Sequence, residues 1–292
     1  NQNVFLGATF LISEILLSFA IATIVKVLEP SLSIFQILFF RYLLCLPLLI
    51  IYARFSLGHR FLKINNPRIL LLRTIFGFLG LLMWLLAVLT IDISLATALA
   101  NTMSMFITIL SVLIARESVG IRRASAVVFG FFGVLVLLLP FDAQFDILGV
   151  VYALLGAFFG GLMFVFIRIL GKSDAVATTA IWYNSCGIIF SGFLCLLTLN
   201  IEIFNTSPLT VNIWIVLLSL GIIASFQQFF LAQSHSYAEA SVLAPLHYIS
   251  IPIGASVGVL FFNEIITIKF IIGTLIIIVS NYYILVREKA IK

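Results

Sequence analysis

The stretch Val4-Phe-Leu-Gly-Ala-Thr-Phe-Leu-Ile-Ser-Glu14-Ile-Leu-Leu-Ser-Phe-Ala-Ile-Ala-Thr-Ile-Val25 is long and apolar enough to cross a bilayer, and it carries one carboxylate near its middle. An ionised carboxylate in hydrocarbon costs several kcal/mol unless it is paired, protonated or facing a wet cavity. The next apolar stretch carries Arg41 at a similar depth. Two opposite charges in otherwise lipid-like segments point to a polar path or pocket within the membrane.

Working outward, the rest of the chain has the same character. Of its 292 residues 63% are hydrophobic and 9% charged, against roughly 45–50% and about 25% in soluble domains. The chain therefore reads as an all-α integral membrane protein. A helix needs about 20 apolar residues to span the hydrocarbon core. Ten segments qualify, at 4–26, 33–53, 69–90, 94–115, 121–140, 147–170, 174–199, 211–235, 238–262 and 268–286. The runs are too long, and too free of alternation, for barrel strands. With no charged leader and no small-residue cleavage site, the first segment reads as a retained helix rather than a signal peptide. No soluble domain fits, and the three cysteines (Cys45, Cys186, Cys195) lack metal-ligand spacing, so no cofactor is implied.

Basic residues in short loops mark the cytoplasmic side. With both termini cytoplasmic, thirteen basic residues fall inside and only Lys26 and Lys269 outside. The net charge of +5 thus reflects orientation and is no nucleic-acid signal. A weak internal repeat accompanies this pattern. Ile24-Val-Lys-Val-Leu28 resembles Phe166-Ile-Arg-Ile-Leu170, Phe39-Phe-Arg-Tyr42 faces Ile181-Trp-Tyr-Asn184, and Ser94-to-Asn101 resembles Ala238-to-Pro245. Five helices per half is an odd number, so the second copy (143–292) is expected to be inverted relative to the first (1–142). Inverted repeats are a signature of secondary transporters, with the substrate site near the midplane between them.

Phe40-Arg41-Tyr42, Leu72-Arg73-Thr-Ile-Phe-Gly77, Ser94 to Glu117 followed by Arg122-Arg123, and Gly130-Phe-Phe-Gly133 carry a further likeness. So do Ala238-Glu-Ala-Ser241, Pro245, Glu264 and Gly273. On these residues nearly the whole chain resembles the drug/metabolite transporter superfamily, of the ten-helix EamA type. Asn101 stands where such proteins often have proline. The resemblance implies a carrier, not an enzyme. Its cargo would belong to a class that includes amino acids, S-adenosylmethionine, riboflavin and amines.

The polar residues within the spans are the candidate substrate-binding set. Glu14 and Arg41 are expected to bind a cationic group and a carboxylate, with a structural ion pair between them as the alternative. Gln227 and Gln228 are adjacent, hence about 100° apart on their helix, and Trp84 is the repeat counterpart of Gln228. Segment 9 holds Pro245, His247, Tyr248, Ser250 and Pro252, two prolines that can bend a helix and free carbonyls. Asn101 with Ser104, and Tyr183 with Asn184, are further lining candidates. Glu117 is expected to pair with Arg122 or Arg123, and Glu264 with Lys269. Gly156-to-Gly160 and Gly254-to-Gly258 are GxxxG runs that suit close packing within the bundle or a homodimer.

The function expected is secondary active transport of a small polar metabolite by alternating access, with a neutral aromatic cargo or a passive channel as alternatives. No G-x-x-x-x-G-K loop is present for ATP hydrolysis. Expected partners are the lipid bilayer, the small-molecule substrate, and a coupling proton or counter-substrate, in a monomer or weak homodimer. Phe, Ile and Asn usage suggests an AT-rich bacterial genome, hence a bacterial inner membrane.

Overall fold

The computed structural model describes residues 3–115, 121–138, 146–171, 173–198, 211–237 and 244–289. Among these residues the regular structure is helical throughout. The helices are α1 (Val4–Leu28), α2 (Ile34–Leu57), α3 (Pro67–Thr90), α4 (Ile93–Ala100), α5 (Met103–Ala115) and α6 (Ile121–Leu138). They continue with α7 (Ile147–Leu170), α8 (Val176–Thr198), α9 (Val211–Tyr237), α10 (Ser250–Phe262) and α11 (Ile268–Lys289), and a 3-10 turn, Ala244–Ile249, leads into α10. Seven helical stretches are long and apolar enough to cross a membrane, and Ser125–Leu138, Leu246–Phe262 and Ile268–Tyr283 are shorter apolar helices. Leu, Ile and Phe side chains on the outer faces of these helices are widely exposed, as expected where lipid is the solvent.

Local chemistry explains the helix starts. Ser33 and Gln36 form a reciprocal capping box at α2. Asn66 accepts from Ile69 N ahead of Pro67, which needs no donor at the first helical position. Asp146 caps α7 through Leu148 N at 2.8 Å. At the ends, Gly58 (φ 63°) and Asn263 (φ 53°) take the left-handed backbone that stops α2 and α10.

The fourth expected segment is not one helix. It breaks at Asn101-Thr102 into α4 and α5. Asn101 is not a proline, yet the helix stops there: Thr102 N turns to Leu99 O in the tighter 3-10 pattern, and Asn101 Nδ2 donates to Thr97 O at 2.8 Å and Thr102 Oγ1 to Leu99 O at 2.7 Å. The ninth segment likewise enters through the 3-10 turn before α10. Residues 116–120, with Glu117, lie outside the described residues, as do 238–243 and the side chains of Arg122, Arg123, His235 and Pro245.

Helices pair across the two halves of the chain. α3 packs along α7, α1 along α9, α2 along α8, α6 along α11 and α4 along α10. Small residues permit the closest of these approaches. A Cβ on Gly80 would lie 3.0 Å from the backbone nitrogen of Gly160, and one on Gly156 3.1 Å from Trp84 N. One apolar core gathers around α1, α4, α6 and α7, a second around α1, α2, α3, α8 and α9. Trp84 is partly buried against both.

Glu264 ties three elements together just beyond α10. Its carboxylate accepts from Ile93 N (2.6 Å), Ser94 N (3.1 Å) and Ser94 Oγ (2.6 Å), at the positive N-terminal end of α4. Lys26 Nζ lies 4.0 Å from the same carboxylate and 4.4 Å from the centre of the Phe262 ring. The expected Lys269 partner is therefore replaced by Lys26, because the left-handed turn at Asn263 directs Glu264 back towards α1 and α4. Partial burial, and then the Glu264 charge, push the Asp92 carboxyl up from its ordinary value, while Lys26 opposes this.

Two outcomes follow from this packing. Gly80→Val has no backbone-free volume to enter at Gly160, so it should lower stability by about 1–3 kcal/mol; an unchanged melting temperature in detergent would show that α3 and α7 are less tightly apposed. A raised folded-state pKa means that ionised Asp92 weakens the fold above that pKa. Asp92→Asn should thus raise the melting temperature at pH 7, and the gain should disappear on acidification below the ordinary Asp range; a gain independent of pH would assign the effect elsewhere.

Candidate functional site

Glu14 lies near the middle of α1 and is 8% exposed. It is satisfied from α1 itself and from α9. Ser18, one turn on, donates Oγ to Glu14 Oε1 at 2.9 Å, and Gln227 Nε2 donates to the same oxygen at 2.7 Å. Gln227 Nε2 also reaches Ser18 Oγ at 3.2 Å, and Gln228 Nε2 donates to Gln227 Oε1 at 3.3 Å. The helical spacing explains the division of labour. Gln227 faces α1, while Gln228, about 100° round the helix, supports it from the side. Among the described residues all the carboxylate's hydrogen bonds fall on Oε1, so Oε2 keeps its acceptor capacity.

The opposite charge is not nearby in the sense expected. Among the described residues the ion pair is Lys26–Glu264 alone, so Glu14 and Arg41 do not form a structural pair. Arg41 is on α2, 3% exposed, with its guanidinium carbon 5.2 Å from the Tyr42 ring centre. Helix rotation accounts for the separation: α1 presents Glu14 to α9, whereas Arg41 shares a helix with Tyr42, which packs on α8.

A second polar group surrounds the break between α4 and α5. Asn101 Nδ2 donates to Ser250 Oγ on α10 at 3.1 Å, and Asn101 O accepts from Asn281 Nδ2 on α11 at 3.0 Å. Ser104 Oγ donates to Asn101 O at 3.2 Å, and the Tyr248 side chain bonds Ser104. His247 is half-buried in the adjoining 3-10 turn. Irregular backbone at membrane depth is tolerated where it is buried in protein or lines a water-filled cavity, and here the side chains of Asn101, Thr102, Ser104 and Asn281 bond its carbonyls.

Tyr183 forms a third group. Its hydroxyl lies 2.9 Å from that of Tyr42 and 3.3 Å from Gly77 O. Asn184, beside it, turns Nδ2 back onto Ala180 O at 2.8 Å. Trp84 belongs to the apolar wall between the cores rather than to any of these networks.

The candidate set thus divides into Glu14 with Gln227 and Gln228, Asn101 with Tyr248, and Tyr183 with Tyr42. Ser18, Tyr42 and Asn281 are not among the residues the sequence offers as lining a site. Ser18 had a signal, since it lies one turn from Glu14. In the sequence Arg73 stands out as a basic residue marking orientation and as part of the run Leu72-to-Gly77, not as a lining candidate, although it lies within α3.

Ser18→Ala should leave the protein folded and weaken the hold on Glu14 Oε1 by about 1 kcal/mol, measurable as a melting-temperature drop. A larger drop with loss of folded protein would show that Ser18 has a wider packing role.

Comparison with known proteins agrees with this architecture. The EamA-like transporter family matches twice, over residues 5–139 and 147–286. The chain is 26% identical to an S-adenosylmethionine uptake transporter of Rickettsia prowazekii, covering 90% of this chain and 87% of that one. It is also 26% identical to a riboflavin transporter of Vibrio cholerae, over 73% of this chain and 70% of the relative. Identity to a pseudopaline exporter of Pseudomonas aeruginosa is 26%, over 88% of each chain. A crystal structure with 14% identity superposes with a TM-score of 0.64 over 98% of both chains. With the family matched over almost its full length, carried by long apolar helices, this chain belongs to the EamA-like transporter family of membrane transporters.

Proposed function

We propose that this protein is a secondary active transporter for a small zwitterionic or cationic organic solute, with Glu14 receiving the cationic group. The observation that carries the proposal is the Glu14 network. A carboxylate sits near the middle of α1, held from one side by Ser18 and Gln227, with its second oxygen uncommitted. The two hydrogen bonds on Oε1 satisfy and orient the carboxylate, and Oε2 can then accept from a cationic group of the cargo. S-adenosylmethionine, the substrate named for the Rickettsia relative, carries a sulfonium and an ammonium and belongs to this class.

Two inverted five-helix repeats, 1–142 and 143–292, with ten spans and cytoplasmic termini, suit this mechanism. The reading is supported by the helix pairing, whose main pairs are unchanged when the halves are exchanged: α1–α9 becomes α7–α3, while α2–α8 and α6–α11 map onto themselves. It is supported too by the two family matches. In this arrangement Glu264 with Lys26 closes the outer ends of α1, α4 and α10. On the inner side Asn65 N donates to Asp174 Oδ1 at 2.6 Å, tying the α2–α3 and α7–α8 connections together. Alternating access then consists of breaking one set of ties while the other holds, in a bacterial inner membrane, driven by a coupling proton or a counter-substrate. A neutral aromatic cargo is the second reading, favoured by the riboflavin transporter among the relatives and by the partly buried Trp84.

The test is ligand-induced stabilisation of the detergent-purified protein. A ligand at 100 times its Kd stabilises by about 2.7 kcal/mol. A panel of S-adenosylmethionine, amino acids, polyamines, quaternary amines, riboflavin and nucleosides should yield a cationic or zwitterionic hit that Glu14→Gln abolishes without loss of the fold. A hit that survives in Glu14→Gln would move the cargo away from α1, and riboflavin alone as the hit would favour the aromatic reading.

A further inference from the structure

Two arginines are buried inside the bundle without a counter-ion. Arg41 on α2 is 3% exposed and Arg73 on α3 is 7% exposed. Among the described residues no carboxylate lies within ion-pair distance of either. Arg41 Nε and Nη1 and Arg73 Nε are buried and have no hydrogen-bond partner among the described residues. Arg73 Nη1 makes one long contact, 3.5 Å to Thr179 O on α8. Guanidinium cannot shed its proton in a protein, so neutralisation is closed to both residues, and a buried charge without a partner is strongly unfavourable.

The surroundings are built rather than incidental. The two arginines flank one tyrosine pair, Arg41 at 5.2 Å from the Tyr42 ring centre and Arg73 at 4.3 Å from that of Tyr183. The rings meet edge to face at 5.5 Å. Tyr183 donates to Gly77 O, which leaves Tyr42 donating to Tyr183. Both hydroxyl protons are thereby committed, and the uncommitted donors are all guanidinium N–H groups. Glycines make the room: a Cβ on Gly77 would lie 2.9 Å from the Tyr183 ring, and one on Gly187 2.8 Å from that of Tyr42. Ring faces stabilise each cation in part and orient it, but they accept no in-plane N–H bond. An acceptor for the nitrogen edges is missing.

We infer that Arg41 and Arg73 together form a binding site for one small anion, between α2, α3 and α8. The anion is either a carboxylate carried by the cargo or a free inorganic ion; both present the compact acceptor that the guanidinium edges lack. The site is distinct in its residues from the Glu14 network on α1 and α9, and the inference does not depend on what Glu14 binds.

The test is the melting temperature of the full-length protein in detergent. Chloride, nitrate or acetate replaces the bulky sulfonate 2-(N-morpholino)ethanesulfonate at constant ionic strength. The expected result is a saturable rise of a few degrees with at least one small anion, retained in Glu14→Gln and lost in Arg73→Gln. Preference for acetate assigns the site to a carboxylate, and preference for chloride or nitrate to a free inorganic ion. Should Arg73→Gln fail to fold, Arg73→Lys keeps the charge without the fork and should weaken the apparent affinity several-fold, while Tyr183→Phe keeps the ring and should retain the response. No saturable response in the unmodified protein overturns the inference, as does a full response in either Arg73 variant.

Discussion

A polar group inside hydrocarbon must find its partner within the protein, and this constraint organises the molecule. Lipid offers no hydrogen bonds, so most of the polar groups in the long apolar helices are either closed locally or handed to another helix, and the buried Arg41 and Arg73 nitrogens stand out as exceptions. Most hydroxyls take the local route, as when Thr74, Ser191 and Thr97 donate to the carbonyl one turn back. The groups that cannot do so are the ones that join helices. Glu14 takes α9 as its partner, Asn101 takes α10 and α11, and Tyr42 takes α8.

Apolar packing supplies the contact area, but it does not choose among neighbours, since lipid is as apolar as Leu. Specificity of pairing comes from small residues and from polar contacts. Gly80 and Gly156 let α3 and α7 approach closely, while Glu264 and Asp174 tie connections at opposite ends of the bundle. The ties at the ends are hydrogen bonds and one ion pair rather than broad apolar interfaces. The most extensive helix-to-helix packing runs instead along the length of α3 and α7.

Most of the architecture was legible in the chain. Hydropathy alone located the long apolar helices α1, α2, α3, α7, α8 and α9 to within a few residues, because an apolar run of about 20 residues has few other uses. The break in the fourth segment was not legible, since an asparagine whose amide turns to the carbonyl one turn back sits at the break in one case, Asn101, and inside a continuous helix in another, Asn184. Glu14 and Gln227 could each be singled out, but their contact depends on the mutual rotation of α1 and α9, which no periodicity revealed. The same rotation explains why Arg41 and Glu14, alike in depth, do not meet. Arg73 reads in the sequence as an orientation marker and as part of a family-like run, and only the fold shows it buried against Tyr183.

A carrier and a channel differ in one property that follows from having a central charged site exposed to one side at a time. The decisive measurement is counterflow in proteoliposomes: radiolabelled cargo outside, excess unlabelled cargo inside, and no ion gradient. Alternating access predicts a transient, saturable accumulation of label above equilibrium that vanishes in Glu14→Gln. Linear, non-saturating equilibration without overshoot, unchanged in that variant, would contradict the account.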